Sequence, residues 1–263
     1  MKKPQVRPRK LLRFPVITSI VLLLGFSPVA GHTLARTVTN NYSDTTTSPV
    51  NASGAFSTST FTTKAFIEEK MNVFDSLQLN EWGLSKKVFE MALRGMSKLI
   101  RSGHIKANIL SIVDFSQPST SKRLYVIDLD NYTLLYNTYV AHGAKTGKTQ
   151  ATYFSNKPAS HKSSLGFYVT GETYKGSNGY SLKLRGMEKG INDLALRRGI
   201  VIHGADYVSE EYIESQGYIG RSFGCPAVPS SISQELIDMV KDGTCLFIYH
   251  PSATYRTQSK LIK

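Results

Sequence analysis

The chain has 263 residues, which is enough to bury the core of one large domain or two small ones. With 41% hydrophobic and 19% charged residues, its composition is that of a globular protein and excludes disorder throughout. Lysine and arginine outnumber aspartate and glutamate by 32 to 19, but no strip of basic residues interleaved with aromatics is present, so we expect no nucleic-acid partner.

Residues 1–35 are typical of a cleaved export signal. The basic stretch Met1–Arg13 leads into the apolar run Phe14–Phe26, and small residues follow at Thr33 and Ala35 with the spacing of a cleavage site. The apolar run is shorter than the ~20 residues of a membrane span, so we expect no stable span after cleavage, with an uncleaved anchor as the alternative. The sequence therefore predicts a protein exported to the periplasm or cell envelope of a bacterium.

The formal net charge of +13 is concentrated near the start of the chain. Six of the basic residues and no acid lie in residues 1–35, so the remainder has 26 basic and 19 acidic residues and a net charge of +7. That modest excess suits an anionic polymer such as the cell wall.

A flexible linker and a helical segment are predicted next. Residues 36–63 are rich in Thr, Ser and Asn and nearly free of aliphatics, as linkers are. Residues 64–104 form a helical N-terminal segment, in which Ser85 is placed to cap a second helix and Gly103 to end it. The helical stripes comprise Phe66, Ile67, Met71, Phe74, Leu77, Val88, Phe89, Ala92, Leu93, Met96, Leu99 and Ile100.

Residues 105–252 are predicted to form one mostly β domain, an antiparallel sandwich or barrel with one or two helices, and residues 253–263 a C-terminal tail. Asp130-Asn131 is the predicted turn of a hairpin. A helix is expected over Ile232–Val240, with Ser231 and Gln234 as a capping box. The predicted strands are Ile109–Phe115, Leu124–Leu129, Thr133–Val140, Gly166–Thr170, Ser181–Leu184, Gly199–His203 and Thr244–Tyr249.

The candidate chemistry lies between Gly199 and Val228. An apolar strand ends at His203, and Cys225 follows Gly224 on a tight turn whose amides can face an oxyanion. A thiol close to an imidazole is the minimum apparatus for acyl transfer. From the residues alone, a purely structural role for His203 and Cys225 is the open alternative.

Cys245 is the only other cysteine, and it lies in an apolar run typical of a core strand. A disulfide between Cys225 and Cys245 is the alternative in an oxidising compartment. An enzyme would keep two free thiols.

The run His203-Gly204, followed by Arg221-Ser222-Phe223-Gly224-Cys225-Pro226, resembles the signature of the L,D-transpeptidase family, in its branch of murein L,D-transpeptidase catalytic domain proteins. The resemblance covers residues 105–250. Its supporting segments are Asp114–Ser116, Arg123–Asp128, Val140–Gly143, Ser163–Gly166 and Gly186–Asn192. The chain departs from the commoner pattern at Phe223, Pro226 and Ala227 and has a longer interval between histidine and cysteine.

The resemblance implies a role for several residues. Cys225 would attack the third residue of a peptidoglycan stem peptide, releasing D-alanine and leaving a thioester, with His203 as the base. The Gly204 carbonyl would orient the imidazole, and the amides of Gly224 and Cys225 would bind the oxyanion. No cofactor and no metal is implied.

The substrate-binding candidates each have an alternative. Arg221 suits a substrate carboxylate or stabilises its turn, and Ser222 bonds near the thiol or within the turn. His142 lines the cleft or supports it from behind. Tyr218, in the long 206–220 loop, belongs to a lid or wall of the site.

Three functions remain open at this point. The first is an L,D-transpeptidase that cross-links or remodels peptidoglycan stem peptides and that carbapenems acylate. The second is an L,D-carboxypeptidase that trims stem peptides, and the third is a non-catalytic wall-binding module.

Overall fold

The computed structural model describes residues 62–263, so the predicted signal and the linker up to residue 61 lie outside the described part. Two helices open it, α1 (Thr63–Ser76) and α2 (Lys86–Arg101). The predicted cap is confirmed, because Ser85 Oγ accepts a hydrogen bond from the Val88 amide. Gly103, with φ of +71°, ends α2 as predicted, and the His104 amide bonds the Leu99 carbonyl.

Eight strands form one sheet in the order β3-β2-β1-β8-β4-β5-β6-β7. They are β1 (Ile109–Asp114), β2 (Leu124–Asp128), β3 (Thr133–Thr138), β4 (Gly166–Gly176), β5 (Gly179–Gly186), β6 (Val201–Ala205), β7 (Ala227–Pro229) and β8 (Cys245–Tyr249). The mostly β prediction is confirmed, as is the β2–β3 hairpin around Asp130-Asn131. The expectation of purely antiparallel pairing is wrong, since β1 pairs with β8, and β6 with β7, in parallel.

The two edges of the sheet approach each other, which makes it a nearly closed barrel. Ala141, just after β3, forms a bridge to Ala227 in β7, and the Ala141 amide donates to the Ala227 carbonyl over 2.8 Å. The edge strands are therefore joined by a short contact rather than a full ladder.

Three helices follow β6: α3 (Glu210–Gln216), α4 (Ser230–Val240) and α5 (Ala253–Gln258). The predicted capping box at Ser231 and Gln234 is wrong. Because β7 runs directly into α4, Pro229 occupies the cap position and no side chain caps the helix. The predicted tail contains α5, whose Tyr255 is buried.

The helical segment and the sheet share one hydrophobic core. Helix α2 contacts β1 and β8, and Gly95 lies directly over the ring of Phe167 in β4. A methyl group at Gly95 would lie 2.1 Å from the nearest ring carbon, so the helix can approach this closely only with glycine there.

Within residues 62–263, no helix is both long and apolar enough to cross a bilayer.

Candidate active site

His203 lies in β6, and Cys225 lies two residues before the neighbouring strand β7. His203 pairs in parallel with Ala227, so two residues earlier Cys225 comes opposite Val201. The Val201 amide indeed faces the Cys225 thiol. Because side chains alternate along a strand, positions 201 and 203 share a face of β6, and Ala227, the partner of His203, lies on that face too. His203 lies within β6 rather than at its end, where the sequence predicted it.

The His203 ring is held by the next residue in the chain. Its Nδ1 lies 2.9 Å from the Gly204 carbonyl oxygen, to which it can donate, while Nε2 has no hydrogen-bond partner among residues 62–263. Burial lowers the pKa of His203 below its ordinary value, and the bond to Gly204 opposes that shift. The ring is therefore oriented with a basic nitrogen left free.

The Cys225 thiol is 8% exposed and unpaired with any other cysteine in the described part of the chain. Its Sγ lies 3.6 Å from the Gly199 carbonyl oxygen. Burial raises the pKa of Cys225, while the Val201 amide and the charge of Arg198 act to lower it. Cys245 is free too, fully buried in β8, as predicted for a core position.

Residues 222–226, here called the cysteine turn, are fixed by Ser222. Its Oγ donates to the Cys225 carbonyl (2.6 Å) and accepts from the Gly224 amide (3.0 Å). The Gly224 amide is therefore occupied and not available to an oxyanion, contrary to the prediction. The Cys225 amide has no partner within the described residues. Gly224 has a φ of +125°, a conformation that favours glycine.

A cavity of about 400 Å³ contains both candidate residues. Among the described residues, Arg198 and Arg221 are its only charged lining residues, Tyr207 forms part of the wall, and Asn178 reaches it from the β4–β5 hairpin. Phe223, which is 73% exposed, also lines it and stacks on His161 with ring centroids 4.4 Å apart. The cavity is thus basic and has an aromatic side.

The family described as L,D-transpeptidase catalytic domain matches residues 80–249, which is more than half of the chain. The chain belongs to the L,D-transpeptidase catalytic domain family. The match begins within the helical segment, earlier than the resemblance in the sequence suggested. No curated protein matches the chain.

Solved structures similar to this L,D-transpeptidase domain are distant. An L,D-transpeptidase from Mycobacterium smegmatis is 14% identical with a TM-score of 0.34, covering 55% of this chain and 59% of its own. One from Stackebrandtia nassauensis is 15% identical with a TM-score of 0.34, covering 63% and 68%. A protein from Campylobacter jejuni that determines helical cell shape is 14% identical with a TM-score of 0.36, covering 60% of this chain and 55% of its own. The chain thus spans 59% of the first of these proteins.

Of the predicted substrate-binding residues of the L,D-transpeptidase domain, Arg221 and Ser222 line the cavity and Tyr218 does not. Arg221 Nη1 donates to the Ala144 (3.3 Å) and Gly147 (3.2 Å) carbonyls. The Tyr218 ring lies beneath the Arg221 guanidinium, 5.3 Å away, and beneath Lys148. Tyr218 therefore contacts Arg221, which lines the cavity, but does not line the cavity itself.

Of the two alternatives for His142, the structure favours support from behind the cleft, because His142 is completely buried and does not line the cavity. Its Nδ1 lies 2.8 Å from Arg123 Nη2, and the Arg123 guanidinium also donates to the Val140 carbonyl. Burial, followed by the charge of Arg123, lowers the pKa of His142 to about 4. The His142 carbonyl accepts from the Ser222 amide (3.1 Å), so this histidine supports the cysteine turn from behind.

A larger cavity of about 670 Å³ is lined by Asp206, Glu210 and Glu211 among others, and it contains neither His203 nor Cys225. Among residues 62–263, no three His, Cys, Asp or Glu side chains are grouped to hold a metal ion.

Sequence reasoning missed Arg198 and gave no role to Ser163. Ser163 Oγ donates to the Gly224 carbonyl (3.2 Å) and accepts from the Gly143 amide (3.0 Å). The segment Ser163–Gly166 is part of the family resemblance, and this is the signal in the sequence that could have indicated a role for Ser163. Arg198 directly follows Arg197, and nothing in the sequence indicates which of the two points inward.

Proposed function

We propose that this protein is an L,D-transpeptidase that acts on peptidoglycan stem peptides through a thioester on Cys225. The proposal is carried by one observation: His203 in β6 and Cys225, two residues before β7, line one cavity, with His203 Nδ1 bonded to the Gly204 carbonyl. Membership of the family supports the reaction class. The predicted export supports an extracytoplasmic site of action.

In the first half-reaction, His203 Nε2 takes the proton of the Cys225 thiol as Sγ attacks the carbonyl of the third stem residue. The oxyanion that forms is bound by the Cys225 amide, which is free of other partners. The C–N bond to the terminal D-alanine then breaks, and His203 returns the proton to the leaving amine. An acceptor amine then attacks the thioester carbonyl as His203 Nε2 takes its proton. The C–S bond breaks as the new cross-link forms, and His203 returns that proton to Sγ.

The electrostatics of the cavity suit an anionic donor peptide. Within residues 62–263 its only charged lining residues are Arg198 and Arg221, and stem peptides carry carboxylates. Arg221 uses Nη1 on two carbonyls, which fixes the guanidinium at the cavity wall with its other donors available to a carboxylate.

Purified protein incubated with tetrapeptide muropeptides tests the function. We expect cross-linked dimers and free D-alanine from the wild type and from Cys245→Ala, and no product from Cys225→Ala. Cys245→Ala is the matched control, since it removes the other thiol, which is buried in β8 and does not line the cavity. Tripeptide with D-alanine and no dimer would identify a carboxypeptidase, and unchanged muropeptide would contradict both.

A further inference from the structure

Arg198 connects an irregular segment of the chain to the candidate site. It lies three residues before β6 and lines the same cavity as Cys225. Segment 155–164 contains no helix or strand. The guanidinium donates four hydrogen bonds, all to this segment: from Nη1 to the Ser155 carbonyl (2.8 Å) and Ser164 Oγ (3.0 Å), and from Nη2 to Ser160 Oγ (3.3 Å) and the Lys162 carbonyl (2.5 Å).

The anchored segment packs against the cysteine turn. Ser163 Oγ donates to the Gly224 carbonyl, directly before Cys225. A methyl group at Gly224 would lie 2.8 Å from the Lys162 carbonyl oxygen and 3.2 Å from Arg198 Nη2. The absence of a side chain at Gly224 therefore lets the guanidinium approach the backbone that holds the thiol.

The positive charge of Arg198 is not neutralised by any acid. All four of its acceptors are uncharged, and none of the salt bridges among residues 62–263 includes Arg198. Burial raises the pKa of Cys225, and the charge of Arg198 opposes that shift. Burial lowers the pKa of Arg198, and interaction with Tyr168 and Cys225 opposes that shift. A fixed cation beside a largely buried sulfur stabilises the anion that attack requires.

We propose that Arg198 is a positioning residue for the reaction of Cys225: it clamps segment 155–164 on the cysteine turn and, from that fixed place, stabilises the thiolate by its charge. The inference rests on the proposed role of Cys225 as nucleophile. A fork of donors held by four acceptors in one segment is pre-organised, so the charge keeps a fixed place in the wall of the cavity that Cys225 also lines.

The test is the rate at which iodoacetamide alkylates Cys225 between pH 6 and 10, followed by peptide mass spectrometry. The variants are Arg198→Gln, Arg198→Lys and, as matched control, Arg197→Gln at the exposed neighbouring arginine. Lysine and glutamine both lose the four-bond fork, so the difference between them isolates the charge. Alkylation of the buried Cys245 in the same samples reports any loss of fold.

We expect the pH midpoint for Arg198→Gln to lie above those of the wild type and Arg198→Lys, with alkylation near pH 8 slower by about three- to tenfold. Arg197→Gln should match the wild type. Coinciding profiles for Arg198→Gln and Arg198→Lys would overturn the proposal, as would an equal shift in Arg197→Gln. Arg198→Met gives the same comparison if the glutamine variant does not fold.

The alkylation experiment tests the role of Arg198, and the muropeptide assay tests the proposed function, so either proposal can be contradicted without the other. Alkylation requires no stem peptide, so an unchanged profile in Arg198→Gln would remove the role of Arg198 and leave that of Cys225 intact. Turnover by Cys225→Ala would remove the proposed function whatever the alkylation profiles show.

Discussion

The Cys225 thiol and the His203 imidazole are each shifted by burial toward their uncharged form. Burial raises the pKa of the thiol and lowers that of the imidazole, so a neutral pair is favoured near pH 7 before substrate binds. Proton transfer must then accompany the attack, which requires an unprotonated ring nitrogen. The bond between Nδ1 and the Gly204 carbonyl keeps Nε2 as that nitrogen.

The buried His142 makes the stability of the folded protein depend on pH. Because its pKa in the folded protein is about 4, against an ordinary value of 6.5, the unfolded chain binds the proton first as the pH falls. The contribution of His142 to the free energy of unfolding is therefore fully present above pH 6.5. As the pH falls from 6.5 to 4, the free energy of unfolding decreases by about 2–3 kcal/mol because of this group. Urea unfolding at a series of pH values measures this loss.

The variant His142→Gln should lose that part of the pH dependence, and the exposed His104→Gln should retain it. A slope in His142→Gln that equals the wild-type slope between pH 6.5 and 4 would contradict this role of the buried histidine.

At the scale of elements, α2 packs on the sheet through Gly95. Alanine there would gain about 1 kcal/mol of helix propensity, but its methyl group would meet the Phe167 ring, which is fully buried and stacked on Phe247. Because the ring cannot move aside, the cost of this overlap exceeds the gain in helix propensity. We expect Gly95→Ala to lower the free energy of unfolding by about 1–3 kcal/mol.

Gly171→Ala is the matched control, because a methyl group there would meet nothing closer than 3.4 Å. Chemical denaturation of both variants measures the difference. Equal stabilities of Gly95→Ala and the wild type would show that α2 does not dock on Phe167 as described.

The elements that sequence reasoning identified are those with a strong local signal. The stripe and cap of α2, and the turn of the β2–β3 hairpin, follow from periodicity and turn residues. Strand β7 was missed because it has three residues and ends in proline. The α4 cap was misplaced because β7 enters the helix without a turn.

At the scale of the whole molecule, pairing between distant segments decides the rest. The parallel contact of β1 with β8 joins the start and end of the sheet-forming chain, and no local pattern encodes it. The cysteine turn likewise contacts segments 141–144 and 155–164, which lie well before it. Cys225 and His203 could be predicted from their motif, whereas the burial of His142 and the contacts of Arg198 arise from this assembly.

The central claim is that Cys225 attacks an activated carbonyl with the help of His203, and covalent capture by a carbapenem tests it most directly. Intact and peptide masses are measured for the wild type, Cys225→Ala and His203→Ala after exposure to the drug. We predict a gain of one carbapenem mass on Cys225 in the wild type, a much slower gain in His203→Ala, and none in Cys225→Ala. An unchanged mass of the folded wild-type protein, or an adduct that persists in Cys225→Ala, would contradict the account.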